Sequence, residues 1–418
     1  MKKDNFLPGR TYIPVSGKIF DHDEINNAIQ AAKDGWWTEG RWSKQFEVDF
    51  KKYLGVKYVS LVNSGSSANL LALYSLTSTT LGDRRLKPGD EFITTPVAFP
   101  TTVNPGVMFG LTPVFIDAEI DTLNIDAEQI EGAITKKTKL IMIAHTLGRP
   151  FNLSKIVALC KKYNLWLIED CCDALGSKYD GKMVGTFGDI ATFSFYPAHQ
   201  MTMGEGGAVV TNNPLLYRSN RQFRDWGRDC WCDTGKDNTC GKRFKWKLGE
   251  LPEGYDHKYI YSQIGFNLKL TDFQAAIGVA QLKKLPGFIK KRQKNYRALY
   301  QFFKKYEKYF ILMKDDKRSD ISYFGFPIIV RSTSPFTRNQ LTGYLEKNRV
   351  GTRNVFSGNL LRHPAYLIIK DKIKTIGKME NADYIMDNAF WLGVWPGIDF
   401  AKRNYVINTI EYFLTHKI

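Results

Sequence analysis

The sequence predicts an α/β fold: a large domain on a mostly parallel sheet, followed by a smaller C-terminal α+β domain. Short, continuously apolar runs recur between residues 57 and 215, and helical patterns separate them. Beyond residue 260 the pattern changes to long helices with two further strand-like runs. Strands covered by helices on both faces read as uninterrupted apolar runs, which is why this alternation points to a parallel sheet. Ligands of such sheets gather at the carboxyl ends of the strands.

Taken in order, residues 1–30 form an N-terminal arm, and residues 31–285 form the large domain. Its expected strands are KYVSLVNS, DEFITTPVAF, TPVFIDA, TKLIMIAHT, NLWLIED, IATFSFY and GAVVTN. Residues 216–260 then become rich in Gly, Cys, Trp and charge, and read as a long inserted loop; loops of that length in compact domains are usually functional. LTDFQAAIGVAQLKKLPGFIKKRQKNYRALYQFFKKYEKYF reads as long helices interrupted near Pro286, since proline removes a backbone donor. Residues 286–418 make the smaller domain, with FGFPIIVR and VGTRNVFSG as strand-like runs. There is neither an internal repeat nor a low-complexity tract.

The 418 residues carry a net charge of +17. A basic field attracts phosphates, but the Lys and Arg are scattered, and clusters such as KKRQKNYR and KDDKRSD suit solvated helix faces and turns. Without a zinc-finger, RRM or helix-turn-helix pattern, nucleic-acid binding is not expected; an anionic small molecule would use the same field. The start, MKKDNFLPGRTYIPVSG, lacks an apolar signal region, and no apolar run is long enough to span a bilayer. A cytoplasmic protein without membrane insertion is expected.

Three segments carry the chemistry. NSGSSANLLALYSL follows a strand, so Gly65, Ser66 and Ser67 open a helix whose free N–H groups suit a phosphate; alone, such a stretch is more often just an ordinary helix cap. NLWLIEDCCDALGS places Asp170 at the end of a buried strand, either as a helix cap or as the partner of a protonated pyridine nitrogen. SFYPAHQMTMGEGG offers the Ser194 hydroxyl and a glycine-rich exit.

Together, in this order, these segments resemble the DegT/StrS nucleotide-sugar aminotransferase family of fold-type I pyridoxal-phosphate enzymes, whose fold is that of aspartate aminotransferase. The likeness extends to GWWTEGRWSKQFEVDFKKYLG, PVAFPTTVNP, IAHTLGRP and GFNLKLTDFQAAIGVAQL. It implies that Phe99 stacks on the cofactor ring, that Asp170 holds its nitrogen, and that Gly65, Ser66, Ser67 and Ser194 hold its phosphate. Asn267 matches a phosphate contact donated across a homodimer interface.

The departures are informative. Relatives that transaminate carry a lysine where His199 stands; imidazole cannot form a Schiff base with the cofactor aldehyde. His199 either marks an inactive homologue or keeps a base suited to proton transfer at neutral pH while giving up the covalent anchor. Such a site would take pyridoxamine phosphate noncovalently, and the expected reaction is dehydration at C3 of a 4-ketosugar.

Cys172, Cys230, Cys232 and Cys240 obey C-x57-C-x-C-x7-C, whereas Cys160 sits alone in an apolar run and Cys171 is a spare thiol. Four thiolates suit zinc or a [2Fe–2S] cluster, and ligand chemistry alone admits both. Cys172 follows Asp170 by two residues, about 7 Å of extended chain, which would put a metal near the cofactor ring. With His199, Asp173 and Tyr196, the spacing resembles the iron–sulfur, pyridoxamine-phosphate-dependent sugar 3-dehydrases of the family, which serve 3,6-dideoxysugar and lipopolysaccharide O-antigen synthesis. That resemblance implies His199 as base, Asp173 and Tyr196 as catalytic neighbours, the four cysteines as cluster ligands, and a flavin/iron–sulfur NADH-dependent reductase as electron donor. Arg353, in GTRNVFSG, is a candidate contact for the nucleotide diphosphate of the sugar substrate.

Overall fold

The computed structural model describes residues 6–314 and 316–418. The first five residues of the expected N-terminal arm, and Asp315 of the KDDKRSD cluster, lie outside them.

All seven expected strands of the large domain form: β1 (Tyr58–Val62), β2 (Glu91–Thr94), β3 (Thr112–Ile116), β4 (Thr138–Ala144), β5 (Trp166–Asp170), β6 (Ile190–Ser194) and β7 (Gly207–Thr211). An eighth, β8 (Lys374–Ile376), joins from far along the chain, giving the order β1-β7-β6-β5-β4-β2-β3-β8. Only β7 runs against its neighbours; the rest are mutually parallel. Val, Ile, Leu and Phe from these strands enter two apolar layers, one on each sheet face, as continuous apolar runs require. Because β4, β5 and β6 are adjacent and parallel, their carboxyl ends bring Ala144, Asp170 and Ser194 to one edge.

A smaller four-stranded sheet contains Phe310–Ile311, Gly325–Val330, Ala389–Gly393 and Arg353–Asn354, packed on its own core with the C-terminal helix Phe400–His416. FGFPIIVR is thus a strand, whereas VGTRNVFSG contributes Arg353–Asn354 to this sheet and Val350 to an isolated bridge with Ile13.

Two expectations require correction. The helix Asp272–Lys304 is continuous and contains Pro286, with no break there. Proline forfeits one backbone hydrogen bond, but Leu285 and Phe288 beside it are buried, and helices His22–Lys33 and Arg41–Leu54 pack along the same helix. Tertiary burial outweighs the local penalty. Pro286 itself is exposed, so Pro286→Ala is expected to stabilise the protein by about 2 kcal/mol, read as a higher thermal midpoint; an unchanged midpoint would mean that the proline costs this helix nothing.

The expected loop at 216–260 also begins later, because Pro214–Arg224 is helical. Asn213 caps that helix, while Leu216, Phe223 and the fully buried Arg224 anchor it. Arg224 donates to the Leu61 carbonyl at 3.0 Å and to Glu39 at 2.7 Å, tying the start of the insert to β1. From Asp225 to Asp256 the chain has neither helix nor strand. Among the described residues, no helix is long and apolar enough to cross a membrane.

Candidate active site

The sheet edge assembles a carboxylate, a helix N-terminus and an imidazole. Asp170, 4% exposed, ends β5. Its Oδ2 accepts from Asn69 Nδ2 at 2.8 Å and Thr102 Oγ1 at 2.7 Å, and its Oδ1 accepts from the Cys172 N–H at 3.1 Å. Thr192 on β6 donates to the Asn69 oxygen at 2.6 Å, setting which way that amide turns. Sequence reasoning missed Asn69, Thr102 and Thr192.

The helix Gly65–Ser75 starts beside this carboxylate. Ser64 caps it by accepting from the Ser67 N–H at 3.0 Å, while the Ser67 hydroxyl donates to Asn63 at 2.6 Å. The Ser67 hydroxyl is therefore engaged within the loop, and the exposed Ser66 and the N–H groups of Gly65 and Ser66 are what the helix start offers an anion. A Cβ on Gly65 would lie 2.5 Å from Ser194 Cβ and 3.2 Å from Cys172 Sγ, so glycine is required for this close approach. Gly65→Ala is expected to weaken cofactor binding at least tenfold, about 1.4 kcal/mol, in a fluorescence titration; unchanged affinity would remove this helix start from the site.

Phe99 precedes the turn Pro100–Thr102 and is 55% exposed, edge-on to Phe356 at 6.4 Å, with a face free for stacking. His199 and Asp173 are both largely buried, with His199 Nδ1 3.4 Å from Asp173 Oδ1. Nδ1 has no well-aligned hydrogen bond among the described residues. Burial pushes the Asp173 carboxyl up, and His199 opposes that shift. Tyr196 is half-exposed, its ring 6.5 Å from that of His199. The exposed Asn267 accepts from Lys269 Nζ at 2.9 Å. Arg353 sits on the small sheet, donating to the Thr352 carbonyl at 2.7 Å.

The cysteines divide. Cys230, Cys232 and Cys240 line one small cavity with Asn238, Arg243, His257 and Lys258. Cys172 does not line it; its sulfur lies against the Gly65 helix start, because the tight turn after β5 holds it there. The expected four-thiol set is thus three thiols in one cavity and a fourth at the cradle. Among the described residues, the one compact group of potential ligands is His145, Glu169 and Cys171. Glu169 there accepts from the Gly185, Phe187 and Gly188 N–H groups, and His145 Nδ1 accepts from the Phe151 N–H, so these atoms already serve the fold.

The chain matches the DegT/DnrJ/EryC1/StrS aminotransferase family over residues 18–411. It belongs to this family. Within it, the chain is 51% identical over 408 residues to the lipopolysaccharide biosynthesis protein RfbH of Salmonella typhimurium, covering 98% of this chain and 93% of that protein. It is 46% identical over 409 residues to the dTDP-4-dehydro-2,6-dideoxy-D-glucose 3-dehydratase of Saccharopolyspora spinosa, covering 98% and 88%. Among solved structures, the Escherichia coli GDP-4-keto-6-deoxy-D-mannose-3-dehydratase with bound hydrated PLP superposes with a TM-score of 0.86 at 29% identity, covering 96% of this chain and all of that one.

Proposed function

We propose that this protein is a pyridoxamine-phosphate-dependent 3-dehydrase of a nucleotide-linked 4-keto-6-deoxyhexose, specifically a CDP-6-deoxy-L-threo-D-glycero-4-hexulose 3-dehydrase. The observation that carries the reading is an imidazole, backed by Asp173, in a site with an intact carboxylate and phosphate cradle. The names of the RfbH and dTDP-sugar relatives support sugar dehydration and lipopolysaccharide synthesis.

The residues fit the cofactor: the cradle is so close that a Cβ on Gly65 would fill it. When bound, pyridoxamine phosphate supplies an amine for the sugar ketone and a ring that delocalises electrons. Asp170 would hold the ring nitrogen, Phe99 would cover a ring face, and Gly65, Ser66 and Ser194 would hold the phosphate. Ser67 would act through its cap. His199 would take the proton at C4′, with Asp173 facing the resulting imidazolium.

A [2Fe–2S] cluster is proposed on Cys230, Cys232 and Cys240, with Cys172 as the fourth ligand. The three thiols that line one cavity fit a thiophilic metal. Replacing the C3 hydroxyl by hydrogen consumes two electrons and two protons and releases water. A flavin/iron–sulfur NADH-dependent reductase is the proposed source of those electrons, and a homodimer would complete each cradle with Asn267.

The decisive experiment is anaerobic purification with pyridoxamine phosphate, iron and sulfide analysis, and incubation with CDP-, dTDP- and GDP-linked 4-keto-6-deoxyhexoses. Release of the 3-deoxy-4-ketosugar from the CDP substrate with reductase present is expected. Preference for the dTDP substrate would reassign the nucleotide; turnover by iron-free protein would make it a cluster-free dehydratase. Transamination in place of dehydration would overturn the reading.

A further inference from the structure

KKRQKNYR is only half a solvated face: Arg292 is 1% exposed, and Asn295 and Tyr296 are buried with it. Among the described residues Arg292 has no carboxylate within ion-pair distance; its two Nη groups donate to backbone carbonyls instead, while Nε has no hydrogen-bond partner there. Nη1 donates to Tyr323 O at 3.2 Å and Phe324 O at 3.0 Å; Nη2 donates to His199 O at 2.7 Å and Ala198 O at 3.4 Å. One planar fork therefore ties the backbone of His199 to the segment that leads into the strand Gly325–Val330. Fully burying a guanidinium is costly, so four aligned acceptors at this position indicate a specific task.

The same segment grips the other half of the dyad. Gln200 Nε2 donates to Ser322 O at 3.1 Å and also to the Asp173 carbonyl. The Phe324 ring lies 5.2 Å from the His199 ring. A Cβ at Gly148 would come within 2.4 Å of Ser322 O and 3.2 Å of Asp173 O, leaving little room for the segment to drift. Arg292 and Asp173 also attract one another electrostatically across this cluster.

Resting on the dehydrase reading, we propose that Arg292 is a positioning residue: its guanidinium fork fixes His199 against residues 323–324, so that the imidazole faces the reacting carbon. Lysine cannot substitute, because an ammonium is a point donor that cannot span both carbonyl pairs. Displacing a catalytic group by about 1 Å costs on the order of 10²-fold, which sets the expected effect.

The test uses full-length, cofactor-loaded protein carrying Arg292→Met or the milder Arg292→Lys, each alone and combined with His199→Ala. The first readout is deuterium exchange at C4′ of pyridoxamine phosphate with CDP-4-keto-6-deoxyglucose. Either variant should slow exchange by about 10- to 100-fold in the parent and have little effect in the His199→Ala background, with cofactor affinity preserved. Equal loss in both backgrounds, or no loss, overturns the proposal. The second readout is the ¹⁵N signal of His199 among the six histidines, assigned by its disappearance in His199→Ala. Arg292→Lys should move that signal, and an unmoved signal overturns the proposal. Absence of C4′ exchange in the parent would overturn the dehydrase reading instead, while the ¹⁵N result still decides on Arg292.

Discussion

Replacing His199 with alanine is expected to slow C4′ hydrogen exchange by about 10²- to 10⁴-fold, the usual contribution of a positioned base. Cofactor affinity should survive, because the Asp170 carboxylate and the helix start are held by Asn69, Thr102 and Ser64, none of which hydrogen-bonds His199. Mass spectrometry of the cofactor in deuterated buffer reads the exchange directly, and a wild-type rate would take His199 out of the base role. His199→Lys tests orientation. A lysine there should attach pyridoxal phosphate covalently, shift its absorption band and weaken dehydration. A spectrum showing only free cofactor would mean that this side chain does not face the aldehyde.

Cys232→Ser should abolish the proposed metal centre: iron and inorganic sulfide should fall from about two each per chain to background, and the paramagnetic signal after reduction should vanish. C4′ exchange should persist, because His199 lies outside the cysteine cavity. Full iron retention would remove Cys232 from the ligand set, and the same measurement on Cys172→Ser tests the fourth position. Metal-free protein offers an independent check. Burial raises the Cys232 thiol, but hydrogen bonds from Thr239, Cys240 and Cys230 outweigh it and bring it down to about 7. Burial pushes Cys230 up. Alkylation of Cys232 should therefore switch on through about pH 7, ahead of Cys230. Since folding favours this thiolate, its contribution to stability is lost as pH falls through about 7, and is fully present above the ordinary thiol range near 9.

The parallel sheet was legible because each of its seven strands in the large domain is an apolar run long enough to be read locally. β8 was not: Lys-Thr-Ile is short and becomes a strand only by pairing with β3. Asp170 was legible from its place at the end of a buried strand, but its partners were not. Asn69 lies inside a helix and Thr102 in a turn, where polar residues ordinarily face water, and only the fold turns both toward one carboxylate. Arg292 was hidden for the same reason, since a basic run looks solvated until its neighbours are packed. The cysteine spacing announced a special loop, yet spacing carries no distance: three thiols line one cavity and the fourth lies against the Gly65 helix start.

The pairing of Lys374 with Val114 has a kinetic side. The outer edge of β3 cannot be covered until residues 374–376 have been made, about 260 residues after β3 itself, so a nascent or truncated chain presents unpaired backbone donors and acceptors beside an apolar layer. Such an edge invites association with other chains. Pairing of Lys374–Ile376 with β3 therefore removes a place where other chains could add.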